Sequence, residues 1–135
     1  MLDIVNVEKT FNPGTVNEKK ALNGINLHLD DGDFVTVIGG NGAGKSTLLN
    51  AISGVWKPDS GQIIVDGVNL SHMPEYKRAK FLGRVFQDPM MGTAADMEIQ
   101  ENLAIAYRRG KCRGFRWGIS KKEKAEYAKM LSQLE

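Results

Sequence analysis

The sequence predicts an α/β fold in which a glycine-rich loop joins a buried strand to an α-helix. Two observations carry this prediction. Residues 34–38, FVTVI, are a short β-branched and apolar run that is typical of a buried parallel strand. Residues 46–53, STLLNAIS, place apolar side chains at helical spacing, and a glycine-rich stretch separates the two elements.

The glycine-rich stretch, GGNGAGKS, matches the pattern G-x-x-x-x-G-K-[ST]. Glycines lack a Cβ, so the backbone can curl with its N–H groups inward, and the positive end of the following helix adds to this anion site. Lys45 adds a full charge for the β- and γ-phosphates, and the Ser46 hydroxyl is placed to ligate Mg²⁺. The alternative is a glycine-rich turn that binds nothing. The motif in its strand–loop–helix setting favours a nucleoside triphosphate, bound by Gly39, Gly40, Asn41, Gly42, Ala43, Gly44, Lys45 and Ser46.

The composition limits the class of protein. A length of 135 residues is typical of one domain, and 41% hydrophobic residues are enough for a core. The mean hydropathy is −0.31, and no apolar run approaches the ~18 residues of a membrane span. The first residues lack a secretory signal, and Cys112 has no second cysteine with which to form an intrachain disulfide. We therefore expect a protein of the reducing cytoplasm.

Before residue 87 the sequence predicts further β-structure. Residues 2–7 and 24–29 alternate between apolar and polar side chains, as strands do. Asp66 and Gly67 separate two short apolar runs, which indicates a β-hairpin. Residues 83–86 are predicted to form one more short strand.

Three further helices are predicted. Pro74 is expected to begin a short helix, because proline suits the start of a helix. Thr93 or Asp96 is expected to cap a second helix. Ser120 and Glu123 form a capping-box pattern ahead of apolar residues at helical spacing, which predicts the third.

Four segments occur in a fixed order: LDIVNVEKTF, ALNGINLHLDDGDFVTVIGGNGAGKSTLLNAISG, SGQIIVDGVNL and GRVFQDP. This combination resembles the N-terminal part of an ATP-binding cassette, the ABC ATPase family, and the resemblance covers essentially the whole chain. It implies an α/β P-loop NTPase core with an antiparallel β subdomain over residues 1–87. The Q-loop and the start of a helical subdomain would follow over residues 88–135, so that the cassette is truncated. Gly40 departs from the family, which often has Pro or Ser there.

The resemblance also implies roles for individual residues. Phe11 matches an aromatic residue that stacks on adenine, although core packing at the end of a strand is an open alternative. Thr47 would add a hydroxyl at the α-phosphate. Gln87 matches the glutamine that reaches Mg²⁺ and the attacking water and links the site to a transmembrane partner. Lys45 and Gln87 would then be catalytic, and Ser46 and Gln87 would ligate the metal.

Residues 108–124 form a strongly basic segment. They contain eight Lys or Arg and one acidic residue, whereas the whole chain has a formal net charge of only +2. Three interpretations stay open: a solvated loop, a contact with anionic lipid headgroups or a membrane subunit, and a nucleic-acid contact, since Phe115 and Trp117 lie between arginines. The family resemblance argues against the last, so no direct nucleic-acid contact is expected.

The resemblance implies an ATP-binding subunit that powers solute transport across the cytoplasmic membrane, and similarity to bacterial uptake systems favours import. ATP and Mg²⁺ are the implied cofactors. The implied partners are a second ABC ATPase subunit in a dimer, a transmembrane permease and a periplasmic or lipoprotein solute-binding protein. The expected location is cytoplasmic, peripheral on the inner face of the cell membrane.

The family's hydrolytic motifs do not occur in this sequence. No apolar run ending in Asp and Glu and no Leu-Ser-Gly-Gly-Gln loop follows Gln87, and His28 and His72 precede Gln87, unlike the family's switch histidine. We therefore expect the complete protein to be an ATPase and this chain alone to be inactive. Two alternatives stay open. A non-transport cytoplasmic ABC protein acting on ribosomes or DNA would need a second cassette or a coiled coil. A small P-loop kinase would fit the length, but Phe11, the hairpin and Gln87 argue against it.

Overall fold

A computed structural model describes residues 1–111, 114 and 118–133 of the chain. These residues form two compact units, Met1–Leu82 and Gly83–Glu135. None of the helices in the described ranges is both long and apolar enough to span a membrane.

The first unit contains a four-stranded antiparallel sheet with the strand order β2-β1-β3-β4. Its strands are β1 (Leu2–Phe11), β2 (Lys19–Leu29), β3 (Ser60–Val65) and β4 (Val68–Asn69). The predicted strands at residues 2–7 and 24–29 are confirmed, and both are longer than expected. The extension arises because β1 and β2 pair with each other from Leu2 opposite Leu29 to Phe11 opposite Lys19.

A tight turn at Asp66 and Gly67 joins β3 to β4, as the sequence predicts. Both residues have positive φ angles, 48° and 77°, and Val65 pairs with Val68 across the turn. Two left-handed residues in succession form the turn whose twist matches that of a β-hairpin.

The core of the first unit lies between the sheet and helix α1 (Lys45–Ser53). Apolar side chains of three strands and the helix meet there because burying each large one contributes about 1.5–3 kcal/mol. The helix confirms the prediction for residues 46–53, and its buried residues are Leu48 and Ala51, whereas Leu49 is exposed. The buried core residues are Ile4, Val7, Leu22, Leu48, Ala51 and Ile63. A second helix, α2 (Glu75–Arg78), begins after Pro74 as predicted.

The two remaining strand predictions, at residues 34–38 and 83–86, are wrong for this structure. Neither stretch has regular secondary structure, and Phe34 and Val85 are 95% and 98% exposed. An apolar β-branched run becomes a strand only where a neighbouring strand pairs with its backbone. Within the described ranges neither stretch has such a neighbour.

The second unit contains a 3₁₀ helix (Pro89–Gly92) and helices α3 (Ile99–Tyr107) and α4 (Lys121–Leu131). The expectation that Thr93 or Asp96 caps α3 is wrong. Glu98 is the capping residue instead, and its N–H donates to the carboxylate of Glu101 over 2.9 Å.

The capping box predicted at the start of α4 is confirmed. The Ser120 hydroxyl accepts from the N–H of Glu123, whose carboxylate accepts from the N–H of Ser120. Helix α4 packs against α3 through Tyr127, which is 2% exposed and meets the Tyr107 ring edge to face at 6.0 Å. This aromatic contact supplies the burial on which the stability of short helices depends.

Candidate nucleotide-binding site

The phosphate loop, residues 39–46, curls directly into the first turn of helix α1. Gly44 precedes the helix with a φ of 89°. A Cβ at Gly44 would lie 2.5 Å from the carbonyl oxygen of Ala21 in β2. Glycine is therefore required here for two reasons, the left-handed backbone and the close approach of the strand.

The N-terminus of α1 is electrostatically suited to an anion. Its first turn contains no acidic residue, and its N-cap residue, Gly44, has no side chain that could accept from its N–H groups. The first N–H groups of a helix have no acceptor inside it, and the helix dipole adds partial positive charge at this end. These donors favour a phosphate group.

The side chain of Lys45 folds back over the phosphate loop. Its Nζ donates to the carbonyl oxygen of Gly39 over 2.6 Å and to that of Gly40 over 2.7 Å. The ammonium group is therefore held against the loop and is not extended into solvent. A phosphate oxygen could replace either carbonyl and form a stronger, charge-assisted hydrogen bond.

The other predicted residues lie in the loop and in the first turn of α1. Ser46 and Thr47 are in the first turn of α1, with Ser46 exposed and Thr47 half-buried. Asn41 and Ala43 are exposed in the loop, and the N–H of Ala43 donates to the carbonyl of Gly40 over 3.3 Å. Nine consecutive predicted residues, 39–47, thus lie in the loop and the first turn of α1.

The residues fit a magnesium ion that is held largely by phosphate. Mg²⁺ prefers oxygen ligands and is usually bound by few protein groups together with substrate phosphates. Across the described part of the chain, no cluster of three or more His, Cys, Asp or Glu could hold a metal. The Ser46 hydroxyl is an oxygen donor of the required type, so Ser46 would contribute one ligand beside the phosphates.

Phe11 is the last residue of β1 and is half-buried. Its ring meets Trp56 edge to face, with centroids 5.2 Å apart. Lys9 Nζ lies 5.8 Å from the ring centroid. Phe11 therefore packs against a second aromatic residue and keeps part of its surface open, so adenine stacking and structural packing both remain predictions.

Gln87 belongs to the second unit, whereas the loop residues belong to the first. It is exposed and precedes the 3₁₀ helix, which begins after Asp88. The carboxylate of Asp88 caps that helix by accepting from the N–H of Met90 over 2.9 Å. The role of Gln87 as metal ligand and catalytic residue stays a prediction.

Arg78 is a buried residue that sequence reasoning missed. Its side chain is 0% exposed, and its Nη1 donates to the carbonyl oxygens of Ala51 and Ile52 over 2.7 and 2.8 Å. Nη2 donates to Ser71 O over 3.0 Å and Nε to Met73 O over 2.8 Å. Burial lowers the pKa of Arg78. The guanidinium group neutralises the negative end of α1, opposite the phosphate loop.

Gly54 gives the one sequence signal that could have indicated this arrangement. It follows α1 with a φ of 96°, and a Cβ there would lie 2.8 Å from Arg78 Nε. A glycine at a helix end is common, however, and nothing in the sequence indicates that it makes room for an arginine.

Part of the basic segment is neutralised within the second unit. Arg108 Nη2 lies 2.9 and 3.0 Å from the two carboxylate oxygens of Glu123. The N–H of Ser120, together with Arg108, lowers the pKa of Glu123 to about 2. Lys111 Nζ lies 3.8 Å from the Tyr107 ring centroid. The proposed nucleic-acid contacts, Phe115 and Trp117, lie outside the described residues.

The structure places one histidine on a strand and the other ahead of a short helix. His28 lies on β2 and hydrogen-bonds to Asp3 and, over 3.3 Å, to Asp30. Asp3 and Asp30 raise the pKa of His28. His72 is exposed just before α2. His28 therefore lies on a strand.

The sequence profile described as ABC transporter matches residues 22–135. The chain belongs to the ABC transporter family. The match includes the complete phosphate loop and helix α1, and it assigns the geometry described above to an ABC-type P-loop core.

The curated relatives that the chain matches are named as ATP-binding proteins of transporters. The chain is 46% identical over 112 residues to the tyrosine transport ATP-binding protein of Clostridioides difficile (strain R20291), covering 82% of this chain and 44% of that protein. It is 42% identical over 90 residues to the energy-coupling factor transporter ATP-binding protein EcfA2 of Clostridium acetobutylicum, covering 65% of this chain and 32% of that protein. The chain thus spans less than half the length of these relatives.

Solved ABC cassettes have the same fold. The dimeric cassette MJ0796, in a post-hydrolysis state bound to ADP and Pi, matches with a TM-score of 0.76 and 28% identity over 98% of this chain and 56% of that chain. A nucleotide-free cassette from an ABC transporter matches with a TM-score of 0.74 and 26% identity, over 98% and 53%. The fold is that of the N-terminal part of an ABC ATPase cassette, as the sequence predicts.

Proposed function

We propose that this chain forms the ATP-binding part of an ABC transporter ATPase. The observation that carries the proposal is the placement of Lys45, whose ammonium group is held against the loop carbonyls of Gly39 and Gly40 beside the uncapped N-terminus of α1. A fixed cation next to unpaired backbone donors is an arrangement that recognises a triphosphate. ATP would bind along residues 39–47, with Mg²⁺ held by its phosphates, Ser46 and Gln87.

The experiment compares Lys45→Ala with Lys77→Ala, which removes an exposed lysine of the same unit. Equilibrium binding of a fluorescent ATP analogue is measured with and without Mg²⁺. Lys45→Ala is expected to abolish detectable binding, because it removes the charge directed at the β- and γ-phosphates, and Lys77→Ala is expected to bind like wild type. Equal affinity of wild type and Lys45→Ala would reject the loop as the nucleotide site.

We infer that hydrolysis needs residues that this sequence does not contain. The sequence has no apolar run ending in Asp and Glu after Gln87, so no carboxylate occupies the position that polarises the attacking water in the family. The 135-residue chain should therefore release no phosphate from ATP above background. Steady turnover by the chain that is lost in Lys45→Ala would contradict this proposal.

The proposed physiological process is the ATP-driven import of an amino-acid-type solute. The proposed partners are a second ATPase subunit, a membrane permease and a solute-binding protein. The similarity to a tyrosine transport ATP-binding protein supports the solute class. Cells carrying Lys45→Ala in the chromosomal gene should lose energy-dependent uptake of labelled tyrosine, with Lys77→Ala as the control. Normal tyrosine uptake in the Lys45→Ala cells would reject this solute, and screening labelled amino acids would then test the class.

A further inference from the structure

We propose that Lys19 is a second cation of the nucleotide site and contacts the phosphate chain beside Gly42. The proposal rests on the function proposed above and adds a residue to the same site. Neither the glycine-rich motif nor the resemblance to the ABC family indicates Lys19, since the lysine lies in β2, twenty residues before the loop.

The first observation is that the beginning of β2 lies against the phosphate loop. A Cβ at Gly44 would lie 2.5 Å from the carbonyl oxygen of Ala21 and 3.5 Å from the Leu22 side chain. A Cβ at Gly42 would lie 3.2 Å from the Nζ of Lys19. The ammonium group is therefore next to the backbone of the loop, within reach of a ligand that the loop holds.

The second observation is the pairing of Lys19 with Phe11. They are direct partners at the end of the antiparallel pair β1–β2. Partners of this kind lie side by side across a sheet, about 5 Å apart at the Cβ atoms. An aromatic ring and an ammonium group thus stand at one end of the sheet, with the loop next to the ammonium group. A nucleotide with its base near Phe11 and its phosphates in the loop would pass Lys19.

The third observation concerns the charges of neighbouring lysines. Lys20 pairs with Glu8 over 3.2 Å and Lys9 pairs with Asp59 over 2.6 Å. Among the residues described in the structure, Lys19 is exposed and has no carboxylate partner. Its charge is therefore available to an anion. Since Lys19 and Lys20 are consecutive strand residues, their side chains project to opposite faces, and only Lys19 is placed beside the loop.

The test uses Lys19→Gln, Lys19→Arg and the matched control Lys20→Gln in the full chain. Calorimetry measures the affinity for ATP and for inorganic tripolyphosphate, which has no base or sugar. Lys19→Gln is expected to weaken both ligands by the same factor, about three- to tenfold, on the scale of one partly exposed charge-assisted contact. Lys19→Arg should stay within about twofold of wild type, because it keeps the charge, and Lys20→Gln should bind like wild type.

Several results would overturn the proposal. A loss of ATP affinity with unchanged tripolyphosphate affinity would mean that Lys19 acts through Phe11 and the base. Equal losses of affinity in Lys19→Gln and Lys19→Arg would mean that the shape of the side chain and not its charge matters. Normal binding by Lys19→Gln would show that Lys19 does not contact the phosphate chain. Lys45→Ala, measured in parallel, distinguishes the hypothesis that the loop binds the nucleotide from the hypothesis that Lys19 contributes to that binding. If it binds normally, the proposed nucleotide site itself is wrong; if it fails to bind while Lys19→Gln binds normally, only the role of Lys19 is wrong.

Discussion

The Nη1 atom of Arg78 donates to the carbonyl oxygen of Ala51 over 2.7 Å, at the end of helix α1 that lies opposite the phosphate loop. One helix thus presents free N–H groups to the proposed ligand at its first turn and has its last carbonyls bound by a buried cation. The same guanidinium group also binds the backbone of Ser71 and Met73, so it joins α1 to the segment before α2.

We expect Arg78→Met to lower the free energy of unfolding by about 2–4 kcal/mol. The substitution keeps an unbranched side chain like the aliphatic part of arginine but leaves several buried or partly buried carbonyl oxygens without a donor. Each fully buried one costs about 1–3 kcal/mol before the surroundings relax. Urea unfolding followed by circular dichroism measures the difference. Lys77→Met, at the exposed preceding position, is the control and should change stability by no more than about 0.5 kcal/mol. Equal stability of the two variants would refute the structural role of Arg78.

A second prediction is that two glycines of the phosphate loop differ in whether they tolerate an added Cβ. Gly44→Ala should destabilise the chain and abolish nucleotide binding, because the new Cβ would meet Ala21 O at 2.5 Å with the backbone at a φ of 89°. Gly40→Ala should be tolerated, since a Cβ there meets nothing within 4 Å. Thermal melting and ATP titration of both variants check this. A Gly44→Ala variant that melts and binds like Gly40→Ala would contradict the proposed role of β2 in shaping the loop.

A third prediction concerns Phe11. Phe11→Ala is expected to weaken ATP binding by about 1–3 kcal/mol, the scale of one aromatic–base stack, while Phe11→Tyr retains it. Calorimetry with ATP and with inorganic tripolyphosphate distinguishes the two interpretations of the residue. If both ligands lose affinity equally, the contact of Phe11 with Trp56 is structural and the ring does not stack on adenine.

The fourth prediction follows from the pKa of Glu123, which the N–H of Ser120 and the guanidinium of Arg108 lower from 4.5 to about 2. Because the folded carboxylate binds a proton less readily than the unfolded one, its stabilising effect is present above about pH 4.5 and is lost as the pH falls toward 2. Glu123→Gln should therefore be less stable than wild type at neutral pH, and the difference should shrink across this window.

Urea midpoints measured by circular dichroism at several pH values give the comparison. Glu126→Gln, on the same helix but outside the capping box, is the control. A difference between wild type and Glu123→Gln that stays constant from neutral pH to pH 2 would show that the charge of Glu123 does not stabilise the second unit.

Local features of the sequence were sufficient for several elements. Asp66 and Gly67 accept left-handed backbone angles, so they specify the hairpin without help from distant residues. Ser120 and Glu123 satisfy each other's N–H groups within one turn, so the start of α4 was also predictable. The glycine pattern and Lys45 of the phosphate loop were likewise recognisable locally, whereas the close approach of Ala21 in β2 to Gly44 was not.

Tertiary structure decided the remainder. Residues 34–38 have the composition of a strand, yet a strand requires hydrogen bonds from a neighbour, and composition does not state whether one is present. Arg78 and Lys19 look like ordinary surface cations in the sequence. The fold buries Arg78 against the end of α1 and places Lys19 beside Gly42. These contacts join residues that are far apart in the sequence, so a local sequence pattern does not predict them.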